Sequence, residues 1–133
     1  MARQRFDDTH LKDVEKAVHE QITRPEIAAR VHSGMRIAIG AGSRGIANIG
    51  ITVRATVQAL RELGAKPFVF PAMGSHGGAT AEGQQAVLAG YDITEESVGA
   101  PIRATMDTVL IGEMEDGTPV HMDRYAHEAD GVV

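Results

Sequence analysis

Arg44 and His76 are the residues with the strongest claim to chemistry, and each sits inside a glycine-rich run. Gly40-Ala41-Gly42-Ser43-Arg44-Gly45 carries a guanidinium, whose planar fork can place two hydrogen bonds on a carboxylate or phosphate. Pro71-Ala72-Met73-Gly74-Ser75-His76-Gly77-Gly78-Ala79 carries an imidazole, a proton-transfer group near neutral pH. An anion anchor facing a base suits the removal of a proton from a small hydroxy acid. Taken singly, these residues have plainer explanations. Glycines serve tight turns, an arginine between glycines is often solvent-exposed, and an isolated histidine is usually a surface or core residue. The functional reading rests on the two occurring together at one edge of a sheet.

That edge is set by the flanking elements. Met35–Ile39 reads as a short strand ending in the first glycine run, and Ile49, Val53, Val57 and Leu60 line a helix that Gly64 can stop. Lys66–Phe70 reads as a second strand leading into the second run. Thr80 then caps a helix through Val87 and Leu88, with Gly90 as its end. Strand, helix, strand, helix with short connections means parallel strands joined by right-handed crossovers. Both glycine runs then fall at the carboxyl ends of adjacent strands, where open α/β folds bind ligands. Bare backbone amides and helix N-termini there favour anions, which makes Gly42, Ser43, Gly45, Gly74, Ser75 and Gly77 the expected cofactor-binding backbone.

Upstream, Leu11, Val14, Val18 and Ile22 recur at helical spacing and predict an amphipathic helix over about residues 9–22. Thr23-Arg24-Pro25-Glu26 predicts a second helix start, with Thr23 as cap and Glu26 completing a capping box. Downstream, Thr108–Ile111 and Pro119–Met122 flank Glu115-Asp116-Gly117-Thr118, a strong hairpin signal. Asp130-Gly131-Val132-Val133 resembles the opening of another buried strand, so the chain is expected to continue. The expected fold is α/β: a Rossmann-like parallel sheet of βα units with an N-terminal helical segment and a C-terminal β-hairpin. Residues 1–133 form its single domain, the N-terminal half of a two-domain protein.

Composition narrows the function classes. Residues 1–66 hold eleven Lys and Arg against seven Asp and Glu, and residues 67–133 hold two against eleven. A net charge of −5 with only 4% aromatics gives no broad basic face for nucleic acid, so no nucleic-acid partner is expected. The arginine excess near the N-terminus suits one small anionic ligand, and solvated helix faces would account for it equally well. No apolar run approaches the ~18 residues that span a bilayer, and the first twenty residues lack the apolar stretch of a signal peptide. Cysteine is absent, which excludes disulfides and thiolate metal sites. The expectation is a cytoplasmic domain without a membrane partner.

Gly40-x-Gly42-x-x-Gly45 also fits the dinucleotide fingerprint. That fingerprint expects a carboxylate at the end of the second strand, where this chain has Phe70-Pro71-Ala72, and Arg44 is bulky for its place. Both features count against NAD. His10, His19 and His32 read as surface residues, His121 as a hairpin-strand residue, and His127 lies close to the end of the sequence. No histidine pair has zinc-motif spacing, and no metal site is expected from this chain.

Three segments together resemble the N-terminal domain of the lactate racemase family: Gly42–Asn48, Pro71–Gln84, and Tyr125–Val133. The likeness is greatest to its lactate-racemase-like branch and covers nearly all of the chain from Met35. The resemblance implies a racemase or epimerase of 2-hydroxy acids, working by proton plus hydride transfer with a nickel-pincer nucleotide. It implies that Arg44 holds the substrate carboxylate and that His76 is one of two histidines taking the hydroxyl proton. The cofactor-bearing lysine, the nickel-binding histidine and the second catalytic histidine of the family belong after Val133, so the isolated chain is expected to be inactive. Two departures separate it from characterised lactate racemases: Ala41 stands where they have Asp, and Gly77-Gly78 where they have Arg-Pro. The substrate implied is therefore a small anionic 2-hydroxy acid not restricted to lactate. The alternative is a phosphate- or nucleotide-binding module without catalysis. Apolar surface left for further strands would favour a homo-oligomer.

Overall fold

The computed structural model describes residues 10–44 and 46–133. Its centre is a pair of parallel strands, β1 (Arg36–Ala41) and β2 (Lys66–Pro71), in register from Arg36 opposite Lys66 to Ala41 opposite Pro71. Between them in sequence runs helix α3 (Ile49–Glu62). A short strand, β5 (Gly131–Val132), pairs in parallel with the other side of β1, giving the order β2-β1-β5. The mixed α/β architecture with a parallel sheet is the one the sequence predicts.

β1 has three consecutive buried residues, Ile37, Ala38 and Ile39, because the sheet is covered on both faces. Alternation sorts its side chains. Ile37, Ile39 and Ala41 join Val69 against Val53, Val57 and Leu60 of α3. Ala38 joins Phe68 and Phe70 against Ala126, with Met122 and Tyr125 packed around them. The second cover comes from α6 (Arg124–His127), which Asp123 caps by accepting from the Ala126 amide at 3.0 Å.

The amino-terminal helices depart from expectation. α1 spans Val14–Ile22, not 9–22: the Asp13 carboxylate accepts from the Lys16 amide at 2.8 Å and starts the helix there, leaving Leu11 exposed with no core to enter. α1 is tied to α3 where His19 Nε2 meets Glu62 Oε2 at 2.6 Å. Thr23 is not the cap of the next helix. Its hydroxyl donates back to the His19 carbonyl at 2.8 Å and closes α1, so α2 (Pro25–Ala28) starts from Arg24 with no side-chain cap.

α4 (Ala81–Ala89) begins at Thr80, as predicted, with its hydroxyl accepting from the Gly83 amide. Gly90 closes it, also as predicted, in a right-handed conformation. A further helix, α5 (Glu95–Val98), was not anticipated. Its capping box pairs Thr94 with Ser97, and the usual Glu or Gln signal is missing.

β3 (Thr108–Glu113) and β4 (Pro119–Asp123) form the predicted antiparallel hairpin, with a bulge between Leu110 and Gly112. Its outer surface keeps Leu110, Ile111 and Met114 exposed. Among the described residues no helix is long and apolar enough to cross a membrane.

Leu60 is 1% exposed at the α3–sheet contact. Leu60→Ala should cost roughly 2–5 kcal/mol, seen as a lower midpoint in urea unfolding, because the cavity cannot fully collapse. In the hairpin turn the Thr118 amide donates to the Asp116 carboxylate at 2.9 Å and holds its pKa below the ordinary 3.8. The sign follows directly: this contribution is present above the ordinary value and is lost as the pH falls through the lowered one. An NMR titration of the Asp116 carboxyl should give a midpoint under that of the unfolded chain.

Candidate functional site

Because β1 and β2 are parallel neighbours, the loops that leave them emerge at one edge. Ala72 N–H donates to the Ala41 carbonyl at 2.8 Å, extending the pairing by one step past the strand ends. The first loop turns through Asn48, in left-handed backbone at φ 60, into α3. No side chain caps that helix and no carboxylate lies in its first turn, which leaves its positive end open to an anion.

The two loops meet on one imidazole. Ser43 Oγ lies 2.5 Å from His76 Nδ1, and Arg44 Nη2 lies 3.1 Å from His76 Nε2. The structure thus brings together the two residues singled out for chemistry, and adds Ser43 as a third. Ser43 and His76 are half-buried, whereas Arg44 is exposed. The imidazole is sheltered while the guanidinium faces solvent.

Three residues to which the sequence assigns no role hold this geometry. Gln84 of α4 is 3% exposed, and its amide donates to the Gly74 carbonyl at 2.8 Å, bracing the second loop. The Tyr91 hydroxyl donates to the Ser43 carbonyl and braces the first. Gly83 lies against Gly77, where a Cβ on Gly83 would meet the Gly77 carbonyl oxygen at 1.8 Å. Gly77 itself adopts φ 66, and a Cβ there would stand 2.5 Å from the Gln84 amide nitrogen. Packing against α4 thus demands glycine at Gly77, independently of any ligand.

The remaining predicted positions fall around this centre. Gly42 is half-buried, Gly74 turns at φ 61, and a Cβ at either would meet nothing within 4 Å. Ser75 is exposed, and its carbonyl accepts from the Ala79 amide at 3.1 Å. Gly45 lies outside the described residues. His121, read from sequence only as a strand residue, bonds Thr108 at 3.2 Å and lines a cleft of about 410 Å³ beside Gly74 and Gln84. An apolar cleft of about 170 Å³ opens under the first loop between Ile39, Gly42, Ile46 and Thr52.

A guanidinium and an imidazole in contact at a parallel-sheet edge can bind an anion and move a proton beside it. The family model for the lactate racemase N-terminal domain matches residues 3–133. The chain belongs to the lactate racemase N-terminal domain family. No curated protein and no solved structure matched it. Within this lactate racemase domain, the described residues include no group of three or more His, Cys, Asp or Glu that could hold a metal. Lys66, at the start of β2, lies at the far end of the strand from the loops. The described residues thus offer an anion anchor and a proton-transfer group at one sheet edge, and no cluster of metal-binding side chains.

Gly83→Ala should push α4 off the second loop. The expected cost is about 3 kcal/mol, at the upper end for overpacking because backbone opposes the new methyl, measured as a drop in the urea midpoint.

Proposed function

We propose that this domain contributes half of the active site of an isomerase, a racemase or epimerase of small 2-hydroxy acids. The observation that carries this reading is the contact between Arg44 and His76 across two loops at the carboxyl edge of the sheet. Arg44 is the anchor for the substrate carboxylate: a charge-assisted fork fixes both the position and the orientation of the acid. His76 is the acid/base that takes the hydroxyl proton and returns it. Family membership supports a nickel-pincer nucleotide as the hydride acceptor. The roles assigned here to Arg44 and His76 do not pass through it.

In the complete protein, His76→Ala should lower kcat by about 10²–10⁴, the usual worth of general acid–base catalysis. Arg44→Ala should mainly raise KM, by roughly 10–100-fold, for the loss of a hydrogen bond to a charged group. Kinetics like the wild type's from either variant would remove the assignment. The cofactor is tested by intact mass and nickel content of the gene product made in cells that carry the pincer-nucleotide pathway. A covalent adduct with about one nickel per chain establishes it and opens a screen of 2-hydroxy acids for epimerisation. A nickel-free, unmodified and inert protein would make Arg44 the clamp of an anion-binding module without catalysis.

A further inference from the structure

Ser43 and Arg44, consecutive in sequence, reach the two nitrogens of one ring. A guanidinium has donors and no acceptor. His76 Nε2, 3.1 Å from Arg44 Nη2, must therefore offer its lone pair. A neutral imidazole in that arrangement carries its hydrogen on Nδ1. Nδ1–H then donates to Ser43 Oγ at 2.5 Å, and the hydroxyl is free to accept it.

We propose that Ser43 is a positioning residue for His76: it holds the ring as the Nδ1–H tautomer and so makes Nε2 the atom that exchanges the substrate proton. The proposal deepens the reading of His76 as acid/base and rests on it. The geometry supports the role on three counts. First, which ring nitrogen is basic is decided by the bond that the other one makes, and here that bond is Ser43's. Second, Ser43 is itself braced, since Tyr91 donates to its carbonyl. Tyr91 in turn sits tight against the start of α3, where a Cβ on Gly50 would stand 2.8 Å from its carbonyl oxygen. Third, Arg44 and the incoming proton compete for the same lone pair on Nε2. A substrate carboxylate that takes over the guanidinium donors uncovers the base at the moment the acid is bound. When Nε2 then takes the hydroxyl proton, the Nδ1–H···Oγ bond persists, and the serine oxygen faces the positive ring.

Long-range ¹H–¹⁵N spectra of the labelled chain, taken at successively higher pH until the His76 ring signals stop moving, read the tautomer without any cofactor or turnover. His76 is assigned by the signal lost in His76→Gln. The expected pattern is a protonated-type Nδ1 and an unprotonated-type Nε2. Ser43→Ala should shift the ring to the Nε2–H form, and Ser43→Thr, which keeps the hydroxyl, should preserve the wild-type pattern. An Nε2–H ring in the wild-type protein overturns the proposal, and that spectrum needs no variant to fold. A Ser43→Ala ring unchanged from wild type overturns it as well. In turnover, Ser43→Ala should lose at least about tenfold in kcat with KM little changed, and Ser43→Thr should restore it. If His76→Ala abolishes turnover while Ser43→Ala does not, only the Ser43 role falls. If His76→Ala turns over normally, the acid/base reading itself has failed.

Discussion

The parallel pairing of β1 with β2 is the constraint on which the rest of the site depends. A parallel ladder in register from Arg36–Lys66 to Ala41–Pro71 obliges both strands to end at the same edge. The loops that follow are 32 residues apart at Arg44 and His76, yet they emerge side by side. An antiparallel arrangement would have sent them to opposite ends. The register also has to hold to within one residue. A slip would move Ile37 and Ile39 out of the α3 core and exchange them with Ala38, whose place on the other face is against Phe68 and Phe70.

That register is protected by burial on both faces. α3 covers one side with Val53, Val57 and Leu60, and α6 covers the other with Ala126. The hairpin reaches the sheet through α6 and Met122, while its own strands stay largely exposed. The buried sheet holds the strand ends in place, and the glycine loops beyond them carry the polar groups. The packed part of the fold is thus separate from the loops that carry Ser43, Arg44 and His76.

Much of the local structure was legible from residue types. The strand–glycine-loop–helix repeats, the Thr80 cap and the Asp-Gly hairpin each depend on contacts within a few residues, which is the range a sequence pattern reports. Where reading failed, a competing local bond had won. Asp13 outbid Leu11 for the start of α1, and Thr23 turned back to the His19 carbonyl instead of forward to Glu26. The α5 capping box escaped notice because serine fills a position usually held by Glu or Gln.

The sequence by itself determined that Arg44 and His76 sit in loops at one sheet edge, because parallel βα topology leaves no other place for them. It did not show that Arg44 and Ser43 take opposite nitrogens of the same ring, that Gln84 and Tyr91 hold the two loops from beneath, or that Gly77 is glycine because α4 leaves it no room. Those facts belong to the tertiary structure. A side chain's partner across 10 to 48 residues depends on backbone positions that converge only after the sheet has formed and the helices have docked. Periodicity and composition carry the direction of a face. They carry nothing about the last few ångströms, where a hydrogen bond chooses its nitrogen.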